Sequence, residues 1–122
     1  MGQADARTRL WSGARDDATG RVEQIFDWAL GGSVRFLDID LESSDTSHCV
    51  YSIVEGDPLS AEVRFHATSD MGRSDWQTRS DVTSSMTCDV ETFHVESTLD
   101  VYENGEKIFT RSWSFDFPRD NV

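Results

Sequence analysis

The chain is short of positive charge. Its 122 residues include 11 Lys and Arg against 23 Asp and Glu, so the net charge is 11 − 23 = −12. Binding to nucleic acid depends on clustered Lys and Arg that displace counterions from phosphates, and an anionic membrane attracts the same residues. The composition therefore predicts a partner that is neither nucleic acid nor membrane. Solubility accounts for the acidic surface.

Long apolar runs and cysteines are also scarce. No run approaches the roughly 20 apolar residues that a membrane-spanning helix needs, and residues 1–17 lack the apolar core of a secretion signal. The two cysteines, Cys49 and Cys88, lie far apart. Such thiols are more typical of a reduced cytoplasmic protein than of a disulfide scaffold, although the sequence leaves open whether they pair. We expect a cytoplasmic location.

Motifs that carry chemistry are missing as well. The Gly-x-Ser-x-Gly nucleophile elbow does not occur, and its nearest approximation, residues 31–35, ends in Arg35. The three histidines and two cysteines show none of the close spacings of a zinc site. The acidic stretch 38–45 has Ser43 where a calcium loop requires Gly. We therefore expect no catalytic residue, no cofactor and no metal ligand in this chain.

What the sequence does contain is alternation. Apolar residues recur at every second position through most of residues 21–117, most clearly in AEVRFHAT at 61–68, and turns rich in Gly, Asp and Pro separate the runs. A period of two is typical of strands with one buried face. The pattern predicts an all-β fold, a jelly-roll-like antiparallel β-sandwich over residues 21–122 that follows a polar arm, residues 1–20.

The hairpin around residues 103–105 decides which face the last strand presents. A two-residue loop would set Val101 opposite Ile108 and place the following aromatics on the polar face. A three-residue loop sets Leu99 opposite Phe109. Because a slip of one residue turns every side chain over, we predict the three-residue loop. The residues that then share one face are Leu99, Val101, Phe109, Trp113 and Phe115.

The aromatic residues suggest an alternative function. Exposed Trp and Tyr side chains can stack on sugar rings. However, Trp28, Trp76 and Trp113 fall on predicted inner faces, where burial of a large side chain contributes about 1.5–3 kcal/mol or more. Trp11 and Tyr102 remain as candidates for ligand contact. The alternative is thus a stand-alone β-sandwich that binds carbohydrate or a small ligand.

Three stretches resemble, in order and spacing, the C-terminal region of the CocE/NonD hydrolases, which include cocaine-esterase-like acylases and X-Pro dipeptidyl-peptidases. They are YSIVEGDPLSAEV, GRSDWQTR and FHVESTLDVYENGEKIFTRSWSFDFPRD, and the resemblance runs from about Asp17 to the end. The signature positions, to which we assign a structural role, are Asp57, Pro58, Leu59, Ser60, Gly72, Arg73, Asp75, Trp76, Phe93, Trp113, Pro118, Arg119 and Asp120. One departure is Ser74, where the family usually has Gly.

The resemblance implies an accessory role. In that family the region is a jelly-roll β-sandwich behind an α/β-hydrolase domain, and the catalytic triad lies in the hydrolase domain. None of the catalytic positions is matched here. The expected partner is a catalytic α/β-hydrolase polypeptide or a second copy in a homo-oligomer. The family domain is longer, so we expect an exposed sheet edge and a partly exposed inner face.

Overall fold

The computed structural model describes residues 10–120, with side chains from residue 12 onward except for residues 29–32. Its strands are β1 (Leu10–Asp16), β2 (Arg21–Phe36), β3 (Leu41–Val54), β4 (Asp57–Arg73), β5 (Trp76–Cys88), β6 (Thr92–Glu103) and β7 (Glu106–Pro118). A single 3-10 turn, Leu37–Ile39, lies between β2 and β3. The predicted all-β antiparallel fold is confirmed.

The seven strands form one sheet in the order β1-β2-β3-β4-β5-β6-β7. Each strand pairs antiparallel with the next one along the chain, so the described connections are all hairpins. A jelly roll passes its chain between two sheets, whereas this meander builds one layer of seven long strands. The described residues thus supply a single layer of the predicted sandwich.

The sequence analysis assigns residues 1–20 to a polar arm, and the structure places a strand within it. β1 pairs along its whole length with β2, from Leu10 opposite Asp27 to Asp16 opposite Arg21. Backbone hydrogen bonds need no apolar side chains, so a polar segment can cover the edge that β2 would otherwise expose. Residues 1–9 lie outside the described part of the chain.

Two irregularities in the N-terminal half concern β2. The sequence predicts a break at the glycine pair 31–32, but β2 continues through it to Phe36 with a shift of register between Ala29 and Ser33. A bulge of this kind absorbs extra residues without ending the pairing. β2 ends at Phe36, since the 3-10 turn follows and Asp40 then adopts a left-handed φ of 48°.

The predicted three-residue loop of the last hairpin is wrong, but its consequence is right. Asn104 and Gly105 form a two-residue turn with φ of 50° and 81°, the combination that tight hairpins favour. Ile108 is then bypassed by a shift of register, so Val101 lies opposite Phe109. The bulge turns the rest of β7 over, and the five residues predicted to share a face do so.

The register divides the sheet into two faces of different chemistry. We call one the apolar face; its large side chains include Val22, Phe26, Trp28, Val34, Phe36, Leu41, Tyr51, Ile53, Val63, Phe65, Met71, Trp76, Val82, Met86, Phe93, Val95, Leu99, Val101, Phe109, Trp113, Phe115 and Phe117. We call the other the polar face; its ionisable side chains include Glu23, Asp27, His48, Arg64, His66, Asp81, His94, Asp100 and Asp116.

Burial does not follow this division. Among the described residues, the apolar side chain classed as buried is Val50, at 6% exposure, and it lies on the polar face with buried Ser52 and Thr68. Long polar side chains lie over that face, and Arg21 Nη2 donates to Ser52 Oγ over 3.4 Å. On the apolar face, Phe115 remains 51% exposed. The larger apolar side chains are therefore the more open to solvent.

Candidate functional site

The signature residues of the β3–β4 hairpin close its turn. Ser60 Oγ accepts a hydrogen bond from Val54 N over 2.7 Å and donates one to Asp57 O over 2.6 Å. Pro58 follows a shift of register in the β3–β4 ladder, a place where the missing N–H is tolerated. Leu59 remains 40% exposed. These residues shape a turn and present no group arranged for reaction.

The β4–β5 hairpin also depends on local backbone geometry. Gly72 lies directly opposite Gln77, and a Cβ on it would lie 2.0 Å from Gln77 Oε1. Ser74 in the turn has a left-handed φ of 47°, which glycine adopts more readily. Asp75 beside it is exposed. The hairpin explains a preference for Gly at position 74 without any functional role.

Two side-chain hydrogen bonds connect this end of the sheet to neighbouring elements. Arg73 Nη1 donates to Ile39 O over 3.2 Å, which connects β4 to the 3-10 turn. Trp76 Nε1 donates to Glu103 Oε2 over 3.1 Å, which connects β5 to the end of β6. These contacts stabilise the sheet end, as expected of residues with a structural role.

At the opposite end, a histidine lies between two carboxylates. His94 Nδ1 is 2.6 Å from Asp116 Oδ1 on β7, and His94 Nε2 is 2.9 Å from Asp89 Oδ2 in the β5–β6 turn. Asp89 Oδ1 also accepts hydrogen bonds from the backbone N–H groups of Glu91 and Thr92, each over 2.8 Å. We call Asp89, His94 and Asp116 the histidine clasp.

Charge and hydrogen bonding set the protonation of the clasp. Asp116, and after it Asp89, raises the pKa of His94 because both carboxylates favour the imidazolium. The pKa of Asp89 is lowered, first by the backbone N–H of Glu91 and then by His94. In its protonated form His94 donates to both carboxylates and so joins the β5–β6 turn to the last strand.

The C-terminal signature residues lie beside the clasp. Arg119 donates from its backbone N–H to Glu91 O and from Nη1 to Asp89 O, both over 2.8 Å. Its guanidinium lies 5.0 Å from the centre of the Phe93 ring. Pro118 ends β7 opposite Thr92. The end of β7 is thus attached to the turn between β5 and β6.

The remaining signature residues are more isolated. Trp113 lies on the apolar face with the guanidinium of Arg111 5.0 Å from its ring centre. Asp120 is exposed beyond the end of β7. The signature therefore occupies both ends of the sheet and one face, and it forms no single pocket.

The other two histidines also face aspartates across neighbouring strands. His48 contacts Asp27, and His66 Nε2 lies 2.8 Å from Asp81 Oδ1. The sequence analysis named no partner for any of the three histidines; the contacts of His48 with Asp27, His66 with Asp81 and His94 with Asp116 depend on register, which alternation alone does not specify. Within residues 10–120, no group of three or more His, Cys, Asp or Glu side chains is arranged to hold a metal ion.

Several concave features lie on the two faces of the sheet. One of about 600 Å³ on the apolar face is lined by Phe26, Trp28, Tyr51 and Phe65, among others. One of about 450 Å³ lies on the polar face beside Asp70, Arg79 and Tyr102. Two smaller depressions lie on the apolar face: one of about 380 Å³, lined by Val22, Tyr51, Ile53, Val63, Met86 and Phe93, among others, and one of about 250 Å³ beside Trp28. All four are shallow.

The residues considered for ligand stacking have different positions. Trp28 and Trp76 lie on the apolar face as predicted, yet each is 43% exposed. Tyr102 lies on the polar face, with Lys107 Nζ 5.7 Å from its ring centre. The side chain of Trp11 lies outside the described residues. Both cysteines are free thiols.

Comparisons with protein-family models, with curated proteins and with solved structures find no match to this chain. The likeness to the CocE/NonD hydrolases therefore stays a prediction from motifs. The part of the chain that the structure describes contains no helix of the length and apolarity required to cross a membrane.

Proposed function

We propose that this chain is a non-catalytic accessory β-domain, similar to the C-terminal domain of a CocE/NonD hydrolase. Its apolar face is covered by another polypeptide, either a catalytic α/β-hydrolase domain or a second copy. The observation that carries this proposal is the set of large apolar side chains that share one face and stay open, such as Trp28, Phe109 and Phe117 at 43%, 47% and 51% exposure.

A face of this kind favours association. Soluble monomers rarely expose contiguous apolar patches larger than a few hundred Å². Burial of apolar surface stabilises by roughly 25 cal/mol per Å², so covering side chains that are only half-buried gives a large driving force.

The distribution of charge supports the same face. Most ion pairs of the described chain lie on the polar face or in turns, as in the pair Arg79–Asp70. Of the charged residues that register places on the apolar face, Arg15, Arg73 and Arg111 lie at sheet edges or strand ends, whereas Asp45 lies within β3. Interface centres are depleted of charge and their rims are polar, which matches this arrangement.

Two adjacent substitutions on β5 test the proposal. Val82 lies on the apolar face and Thr83 on the polar face. The chain is co-expressed with a CocE/NonD-type catalytic domain that lacks its own C-terminal domain, and self-association is measured by sedimentation. We expect Val82→Glu to abolish whichever association the native chain shows, and Thr83→Glu to leave it intact.

If Val82→Glu and Thr83→Glu behave alike in both measurements, the apolar face is not the interface. Activity provides an independent check, because the purified chain should hydrolyse no activated ester and no X-Pro substrate. Saturable turnover that is abolished by one Ser or His substitution would overturn the accessory role.

A second candidate is a stand-alone module that binds carbohydrate or a small ligand. The 380 Å³ depression around Met86 supports the small-ligand form, since its lining is mainly apolar. Binding of an apolar fluorescent dye should be saturable in the native chain and lost in Met86→Glu, with Thr83→Glu as the control on the same strand. Equal dye binding by both variants would argue against a defined site.

A further inference from the structure

We propose that two copies of this chain associate by antiparallel pairing of their β7 strands, in a register centred on Ser112. This inference rests on the proposed function and adds to it a contact between copies at a sheet edge; edge pairing leaves the apolar face to be covered by the partner already proposed.

The β7 strand forms one edge of the described sheet and pairs with β6 on its inner side. Natural edges are guarded by Lys, Pro and bulges. Here the guards lie near the ends of the strand, at Lys107, Ile108 and Pro118. The stretch between them, residues 109–117, contains no Pro or Gly and is rich in residues that favour strands.

The requirement that the two apolar faces lie on the same side restricts the possible registers. Directly opposed residues share a face, so the apolar faces of two copies join only when odd-numbered residues of β7 oppose odd-numbered ones. Ser112 is the midpoint of Glu106–Pro118, so a register centred there pairs the strand over its greatest length. Phe109 then opposes the partner's Phe115, and Arg111 opposes the partner's Trp113, each twice by symmetry.

Charge favours the same register. Because the bulge bypasses Ile108, Lys107 occupies the ladder position next to Phe109. In the proposed register Lys107 lies opposite the partner's Asp116 on the polar face. A register centred on residue 111 would set the two Arg111 side chains opposite each other, and directly opposed like charges destabilise strand pairing. A register centred on residue 113 would lose the pairing of Lys107 with the partner's Asp116.

Aromatic pairing adds to the complementarity. The Arg111 guanidinium already lies 5.0 Å from the Trp113 ring of its own chain. The proposed register places it beside the partner's Trp113 as well, where cation–π attraction is available. The two apolar faces would then form one continuous surface of twice the width.

Cross-linking tests the register directly. Ser112 would face its own copy across the two-fold axis, whereas Thr98, which pairs with Ser112 inside one chain, lies on the interior strand β6. In the full chain with Cys49 and Cys88 replaced by Ser, mild oxidation should link most Ser112→Cys molecules into dimers. Thr98→Cys, on the same polar face, should form no covalent dimer under the same conditions.

Self-association provides the second measurement. Ser112→Lys sets two like charges opposite each other at the axis, so we expect the dimer Kd from sedimentation to rise about fivefold. Thr98→Lys should change it less than twofold. A loss of folding in either variant would appear in its circular dichroism, and the cysteine variants then decide the question.

The outcomes separate this inference from the proposed function. A chain that stays monomeric at high concentration overturns the β7 pairing, but binding to a catalytic domain that is lost in Val82→Glu would still support the accessory role. A dimer that Val82→Glu dissociates and Ser112→Cys fails to cross-link also overturns the β7 register. If Ser112→Cys cross-links while Val82→Glu changes no association, the inference stands and the apolar-face interface fails.

Discussion

The two faces of this sheet differ in burial in the opposite sense to their chemistry. Val50 lies on the polar face and is 6% exposed, while Phe115 on the apolar face is 51% exposed. Long charged side chains cover the small residues beneath them, whereas large rings such as Phe109 and Phe115 stay about half exposed. A single sheet can therefore bury the small residues of its polar face under its own long side chains, whereas burial of its apolar face requires a second layer.

The largest effect on stability should come from substitution of Val50, although its side chain is smaller than that of Phe115. We expect Val50→Ala to lower the free energy of unfolding by about 2 kcal/mol, because it removes buried methyl groups. Phe115→Ala should cost less in the isolated chain, since half of the ring is already in water. Urea denaturation at low protein concentration measures both values.

The reverse order would break the comparison. If Phe115→Ala proves the more costly substitution, the apolar face is covered in solution under those conditions. Repeating the denaturation over a range of protein concentrations then distinguishes a second copy, because only self-association makes the midpoint depend on concentration.

The histidine clasp should make stability depend on pH. The pKa of His94 is raised above its ordinary 6.5, so the protonated pairing stabilises the fold at lower pH, and this contribution is lost as pH rises through the folded-state pKa. The lowered pKa of Asp89 acts oppositely, because its contribution is lost as pH falls through that pKa. His94→Gln should flatten the decline of stability above about pH 6.5.

Unfolding midpoints of the native chain and His94→Gln, measured from pH 5 to 9, provide the check. His66→Gln is the matched control, since His66 lies on the same face with one carboxylate contact. An unchanged slope in His94→Gln would show that the clasp does not contribute to stability.

The smallest expected effect on stability is that of a substitution at Gly72, on the polar face. A methyl group on Gly72 would meet the end of the Gln77 side chain, which is exposed and able to move. We therefore expect Gly72→Ala to cost less than about 1 kcal/mol. Gly105→Ala should cost about 1 kcal/mol, because φ of 81° is unfavourable for alanine whatever the space. Thermal unfolding compares the two, and a larger loss for Gly72→Ala would show that Gln77 is held rigidly.

Alternation was sufficient to predict the all-β class and the inner-face positions of Trp28, Trp76 and Trp113. It could not predict the strand order, because a period of two is the same in a meander and in a jelly roll. β1 escaped prediction since Leu10–Asp16 shows no clear alternation and its pairing uses backbone groups. The bulge at Ile108 escaped because a longer loop would give the same facing for Phe109.

The His–Asp contacts show a second limit of prediction from alternation. Asp89 and His94 are close in sequence, but Asp27 and His48 meet only because β2 and β3 pair in one particular register. The interface proposed here had a clearer signal, namely a resemblance to a longer family domain combined with rings at alternate positions. That signal predicts an exposed inner face without specifying what covers it.

The bulge in the last hairpin also bears on how the chain tolerates changes of length. Ile108 is bypassed in the ladder, with Tyr102 opposite Lys107 and Val101 opposite Phe109 on either side of it. Deleting Ile108 would leave a regular two-residue hairpin and keep every later residue of β7 on its present side. A one-residue deletion in a strand normally moves every later side chain to the opposite face. At Ile108 such a deletion would leave the facing of the later side chains unchanged.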